Sequence, residues 1–561
     1  MANGNIKNIG KVEGNAKSSP KSDLAGCLKN RWIQWTFVLS CVAISAAFVK
    51  PTIVSLLGNA FAFAIAYYIT FHRKILEHVF SPFSRTTLGI VFIFTLIAVG
   101  FCVPHFLSHL QTQIDFSSSI HPALVHIAVY FLYCTTAPAF FAFLYAFIVR
   151  FSIFVTEIYK TSDKIERCFF VTVMLFAMSA IIVIYDQTNC FYAPLGQDGE
   201  IIDFDVVYVM DSGNFYKTNV YGFIGAPEND MRQPLFGLFA LPFAITATLL
   251  SWILFFIPNS YAVFMQTIQI GLLFVTYILM SRVAQLRGLT KLFFFMTLTV
   301  TYPILLFSLV WEQYIFSIFW LWVFIYIFTI CGQIHPIAFT ASTGSLLTNT
   351  AAFLFTFTKN RQQFIRKGID CACAFLIFFI LFGRLNVCTG ALHLFAFTGI
   401  KSSFDGKILQ FVNFISSCFV KPETIISKPF FKSVSDWTNY QLAPVESLNL
   451  LGLLLLAFCF LGFVLNYKDR FAQICAFWIA FSFFVLCLVG WGTAENGLIL
   501  YSLYFGWAYF CLAFLAIEKL LQKLPTIKYA VYSACIAVLA YINIPGIYDV
   551  IQFGIKYYPV Q

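Results

Sequence analysis

The amino-acid sequence predicts an all-α polytopic membrane protein, and three observations carry that reading. Only 11% of the 561 residues are charged and 60% are hydrophobic, whereas about a quarter of a soluble domain is charged. Apolar stretches long enough to cross a bilayer recur from Trp32 to about Ile542. These runs are continuous rather than alternating, so the backbone groups are satisfied within helices and not within an outer-membrane barrel. Dividing the apolar runs at their polar breaks predicts roughly 11–13 spans.

Taken in order, residues 1–31 are polar and carry Lys7, Lys11, Lys17, Lys21, Lys29 and Arg31. They read as a disordered basic cytoplasmic tail rather than a cleaved signal. A transmembrane domain over 32–542 follows, with 543–561 as a short outer tail. Spans near 33–50 and 52–71 return the chain to His72, Arg73, Lys74 and Arg85, and later basic clusters are placed inside by the same rule. A span near 168–185 then exits, which puts loop 186–234 outside. That loop holds eight acids (Asp186, Asp198, Glu200, Asp203, Asp205, Asp211, Glu228, Asp230) and only Lys217 before Arg232. A second outer segment, 387–447, carries Lys401, Lys407, Lys421, Lys428, Lys432, Asp436, Trp437 and Tyr440 and reads as a lid.

The middle of the chain does not close. Two ordinary spans at 236–257 and 260–280 leave Arg282, Arg287 and Lys291 outside, and a full span at 335–358 misplaces Lys359 to Lys367. Partial insertion is the preferred solution, with breaks at Pro258-Asn259-Ser260 and His335-Pro336. Residues 338–350 are rich in hydroxyls (Thr340, Ser342, Thr343, Ser345, Thr348, Thr350), which face either a polar cavity or their own helix carbonyls.

Charge beside a bilayer is costly and usually functional. The first large outer loop contains Met210-Asp211-Ser212-Gly213 and then Glu228-Asn229-Asp230-Met231-Arg232-Gln233-Pro234-Leu235-Phe236, which opens the next apolar run. Two shorter outer turns add Glu312, between Trp311 and Gln313, and Glu495, in Gly492-Thr493-Ala494-Glu495-Asn496. Each has a plainer reading: Asp-Ser-Gly is a good turn, Arg232 can snorkel, and Trp311 and Tyr314 suit an interfacial belt.

The order of these features resembles the GT-C superfamily of membrane glycosyltransferases, including protein mannosyltransferases and aminoarabinose transferases. There, an Asp-Glu motif in the first large outer loop precedes a Pro-Pro-Leu-Phe-like motif. Here Asp211-Ser212 and Gln233-Pro234-Leu235-Phe236 occupy those places. Ser212 and Gln233 depart from the pattern, as do the four or five helices ahead of the loop, where those families have one.

The resemblance implies transfer of a sugar from a polyprenyl-phosphate carrier to a cell-envelope acceptor on the extracytoplasmic face. Asp211 would be the general base, and Arg232 would hold the donor phosphate. Glu228, Asp230, Glu312 and Glu495 would bind substrate. A divalent ion on the loop carboxylates is compatible with this chemistry but not required by it. A flippase or transporter of lipid-linked sugars, or a non-catalytic envelope-assembly protein, are the competing classes. The net charge of +10 follows the positive-inside pattern and implies no nucleic-acid partner. The 16 cysteines form no CxxC or Cys/His zinc spacing.

Overall fold

The structure is a computed structural model that describes residues 31, 34–35, 37–39, 41–42, 53–72, 149, 151–192, 206–208, 232–332, 334–357, 361–381, 403–427, 438–491 and 497–560. It is all-α apart from one hairpin. In chain order the helices are α1 (Ile53–Tyr67), α2 (Lys164–Gln187), α3 (Phe236–Ile253), α4 (Ser260–Val283), α5 (Gly288–Thr299), α6 (Tyr302–Phe307), α7 (Tyr314–Cys331), α8 (Pro336–Ser345) and α9 (Arg361–Leu381). There follow α10 (Phe404–Ser417), strands β1 (Thr424–Ser427) and β2 (Asn439–Leu442), α11 (Leu450–Leu465), α12 (Arg470–Ser482), α13 (Ser502–Leu520) and α14 (Pro525–Tyr557). Among the described residues, six helical segments are long and apolar enough to cross a membrane.

The chain forms two compact units. One comprises 1–162, 222–235 and 327–391, and the other comprises 163–221, 236–326 and 392–561. In the first unit α8 is only ten residues long, about 15 Å at 1.5 Å per residue, and so too short to span. Leu346 is extended, and a 3-10 helix continues from Leu347 to Thr356. Thus 335–358 is a broken segment and not one straight helix.

In the second unit α2 and α4 form a full-length antiparallel pair. Asn259 Nδ2 donates to the carbonyl of Tyr185 at one end (3.0 Å). Phe169 meets Phe274 in the other half, with ring centroids 5.8 Å apart. At the far end of this register Arg282 grips Glu166 with both Nη2 to Oε2 (2.6 Å) and Nε to Oε1 (3.2 Å). Lys291 Nζ bridges Glu166 Oε1 (2.8 Å) and Asp163 Oδ2 (2.6 Å).

The same two acids cap α2. Asp163 Oδ1 accepts from the Glu166 amide and Glu166 Oε2 accepts from the Asp163 amide, a reciprocal capping box. Glu518, Lys528 and Thr290 join at this basic end, with Lys528 Nζ 3.1 Å from Glu518 Oε2. Arg282 and Lys291 therefore share an end with Lys164 and Arg167.

The core of this unit is α13, whose residues from Ser502 to Phe514 are all buried. Trp507 stacks edge-on against Trp322 with centroids 4.8 Å apart, and Trp478 Nε1 donates to the Tyr504 carbonyl. Helix α11 approaches this core through glycine: a Cβ on Gly462 would collide with the Leu512 carbonyl, and one on Gly452 with that of Val412. Close backbone approach at small residues is how membrane helices pack without a hydrophobic driving force between them.

Two expectations change here. Helix α14 runs unbroken to Tyr557, so the boundary expected at 542 falls inside a helix and 543–557 is not a separate tail. The segment before Glu312 is not one strong span. It breaks after Thr299 into α5 and the six-residue α6, and residues 308–313 are non-helical.

Glu166→Gln should cost about 3 kcal/mol or more of stability, because it leaves two buried cations without their shared anion. Thermal unfolding of the detergent-solubilised protein tests this. Burial works to raise the Asp163 pKa, but the bonds from Lys291 and the α2 amides outweigh it and lower the carboxyl below its ordinary value. Its stabilisation is thus complete above the unfolded carboxylate pKa of about 4 and is lost as pH falls through the lower folded value. Unfolding midpoints should accordingly hold near neutrality and drop in acid, and the drop should shrink in Asp163→Asn.

Candidate functional site

The break between α5 and α7 frees backbone groups that cannot turn to water inside the bundle, and side chains from other helices take them up. Asn543 of α14, fully buried, donates through Nδ2 to the carbonyls of Val300 and Phe419 (both 2.8 Å). Its Oδ1 accepts from the Lys421 amide (2.9 Å). Gln266 Nε2 donates to the Phe307 carbonyl (2.9 Å), and Tyr185 Oη donates to that of Leu309 (2.6 Å). The Trp311 amide donates to the Phe191 carbonyl (3.1 Å).

Around Asn543 the two long connecting segments of this unit dock together. Strands β1 and β2 pair antiparallel, with Ile426 opposite Tyr440. Val207 adds a parallel bridge to Tyr440. The Tyr208 amide donates to the Tyr440 carbonyl and the Tyr440 amide to the Val206 carbonyl, both 2.8 Å. The Tyr208 and Tyr302 hydroxyls are 2.6 Å apart. Burial, with the Tyr302 hydroxyl alongside, pushes the Tyr208 phenol well above its ordinary pKa, so it stays a neutral donor.

Lys421 completes the cluster, with Nζ 2.6 Å from Asp549 Oδ2. Burial opposes the charge of Lys421, but Asp549 more than offsets it, so the ammonium is held charged with a raised pKa. Gly546 makes room for this side chain, since a Cβ there would sit 2.5 Å from Lys421 Cδ. The result is a cation paired with a half-exposed carboxylate beside three buried tyrosines.

Of the site residues read from sequence, Asp211, Glu228, Asp230 and Glu495 lie outside the described residues. Arg232 lies in the first unit, where its carbonyl accepts from the Leu347 amide (2.7 Å). The Leu235 amide donates to the Gly344 carbonyl (2.8 Å), so the Arg232–Leu235 turn is strapped to the hydroxyl-rich segment. That segment mostly bonds to itself: Thr340 to the Pro336 carbonyl, Ser345 to that of Ser342, and Thr350 to that of Leu347.

Glu312 is in the second unit and is not in a surface turn. It is wholly buried, its amide donating to Gln269 Oε1 (3.1 Å) and its Oε1 accepting from the Tyr314 amide (3.3 Å). Gln269 lies ten residues into α4, about 15 Å from the Asn259 end. Glu312 is thus a carboxyl held inside the bundle at a helix break. Sequence reasoning missed Tyr208, Tyr302, Asn543 and Asp549. A lone Asn543 and Asp549 flanking Pro545-Gly546 in an otherwise apolar run were the available signal. Among the described residues no three His, Cys, Asp or Glu side chains converge as metal ligands.

Asn543→Leu should remove three hydrogen bonds and strand the Val300 carbonyl and the Lys421 amide, while the Phe419 carbonyl keeps the Tyr302 amide, a loss of roughly 2 kcal/mol or more. Limited proteolysis should show 419–442 becoming susceptible before the rest of the second unit, together with a lower unfolding midpoint.

No protein-family model, no curated protein and no solved structure matches this chain.

Proposed function

We propose that the chain is a multi-pass cell-membrane glycosyltransferase of GT-C type with roughly 11–13 spans. It would move a sugar from a polyprenyl-phosphate carrier to a cell-envelope acceptor on the extracytoplasmic face. The observation that carries the proposal is the pinning of Val206–Tyr208 to Tyr440 beside Lys421. Asp211 follows Tyr208 by three residues, so chain connectivity alone keeps it within about 11 Å of that anchor. The loop that carries the motif is thereby tethered where a charged cation and neutral tyrosines gather.

Orientation follows from the charge cluster. Lys164, Arg167, Arg282 and Lys291 share one end, which the positive-inside rule assigns to the cytoplasm. The Lys421 cluster lies toward the opposite end of the same unit, since α14 rises from Lys528 at the basic end to Asn543 and Asp549. That end would face the extracytoplasmic side, with the N-terminus cytoplasmic.

The chemistry needs a base, an anion holder and no redox step. The Asp211 carboxylate takes the proton of the acceptor hydroxyl as the acceptor oxygen bonds to the anomeric carbon. The bond from that carbon to the carrier phosphate breaks, and the electron pair leaves on phosphate oxygen. Arg232 is assigned to the departing phosphate through a bidentate contact. Glu228, Asp230 and Glu495 are assigned to the acceptor and the donor sugar.

A second reading, a flippase or transporter of lipid-linked sugars, is favoured by one observation: Glu312 is a buried carboxyl at a broken helix, a setting associated with transport sites.

Sugar transfer in membranes, assayed against a panel of polyprenyl-phosphate sugars, separates the two. Wild-type transfer that falls at least about 100-fold in a folded Asp211→Asn variant supports the transferase and its base. Transfer retained in that variant would remove Asp211 from the site. Absence of transfer with every donor, together with translocation of lipid-linked sugar in proteoliposomes and its loss in Glu312→Gln, would establish the second reading.

A further inference from the structure

Deep in the second unit, a small cavity of about 10 Å³ lies where α4, α13 and the α5–α6 break meet. Two of the groups lining it are buried donors with no partner among the described residues, Tyr277 Oη on α4 and Trp507 Nε1 on α13. Tyr277 is 1% exposed and Trp507 is 4% exposed. Leaving either group unpaired costs about 1–3 kcal/mol. Two such costs on residues that line one cavity call for a shared partner.

The remaining polar lining supplies the complement. Thr301 Oγ1 gives its proton to the Leu298 carbonyl (2.8 Å), and Ser502 Oγ gives its own to the Ile499 carbonyl (2.6 Å). Both hydroxyl oxygens therefore keep lone pairs for accepting. The cavity thus offers an indole N–H that can only donate, two hydroxyls that can only accept and a phenol that does either. A volume near one water-sized sphere with two to four polar partners is the requirement for a buried water.

We propose that this cavity is a binding site for a single structural water. The water accepts from Trp507 Nε1–H and donates to Thr301 or Ser502, and Tyr277 Oη completes its shell. It ties α4 and α13 together beside the α5–α6 break, where Thr301 precedes α6. Breaks in membrane helices are tolerated where ordered water re-satisfies the polar groups around them. The apolar neighbours Ile304 and Leu503 leave no room for a larger ligand, and the inference stands whatever the protein transfers or transports.

Tyr277→Phe in the full-length protein in nanodiscs is the test, because it deletes one hydroxyl and little else. If the hydroxyl is bound to water, the unfolding midpoint falls, and the loss is smaller in a Trp507→Phe background because both changes empty the same shell. A midpoint that stays level or rises in Tyr277→Phe would mean that the hydroxyl was an unpaired liability and would overturn the proposal. A high-resolution cryo-electron microscopy map of the wild type gives an independent decision. Solvent density within hydrogen-bond distance of Tyr277 and Trp507 supports the site, and a clean void there overturns it.

Discussion

The broken run of the second unit answers to one constraint: backbone polar groups inside an apolar bundle must find partners within the protein. The run from Gly288 to Gln313 violates continuous helicity twice, after Thr299 and again after Phe307. Each violation is met by a named polar side chain on another helix. Asn543 serves Val300 and Phe419, Gln266 serves Phe307, Tyr185 serves Leu309 and Gln269 serves Glu312. These side chains sit on spans that a hydropathy reading treats as uniform, and their placement decides where the break can be. The break in turn brings Tyr302 to Tyr208 and the Phe419 carbonyl to the Tyr302 amide, from which the Lys421 cluster is built.

The two ends of the unit are stabilised by different physics. At the basic end, a buried anion is shared by two cations and locked into a helix cap, a geometry in which all three charges are satisfied by direct bonds. Such a cluster specifies register more than it adds stability, because desolvation offsets much of the attraction. It sets α2 against α4 at one depth only. At the other end the contacts are neutral and local: a short hairpin, one parallel bridge and a pair of phenols, with Lys421–Asp549 half in solvent.

How much of this was legible follows from the kind of signal each part leaves. Continuous apolar runs made the all-α membrane class readable, and His335-Pro336 marked the real start of α8. The hydroxyl-rich 338–350 segment left two readings open; Thr340, Ser345 and Thr350 chose their own helix carbonyls, while Ser342 Oγ is buried with no partner among the described residues. The break after Thr299 carries one sequence signal, Pro303 at the start of α6, set within a long apolar run. The carbonyl freed at Val300 is taken up by Asn543, 243 residues away in sequence. Glu312 was noticed as a charge beside apolar spans, but its depth depends on that same break. Asp211 and Arg232 were found through motif order, which is silent on tertiary placement.

The charge conflict in the middle of the chain reduces to α3. Helix α2 carries the chain from the basic end to the other end, and α4 returns it, because Asn259 meets Tyr185 and Arg282 meets Glu166. No stretch between Gln187 and Leu235 is apolar enough to cross. Helix α4 thus starts at the end where α2 finishes. The 18 residues of α3, which precede it, suffice in length and composition to span. Phe236 and Phe243 both meet Phe316, and Phe239 and Phe243 meet Trp320, so α3 packs against the first two turns of α7. Pro242 lies in that contact, where a missing amide bond lets the helix bend. Arg282 and Lys291 lie at the same end as Lys164 and Arg167, gathered there by Glu166 and Asp163.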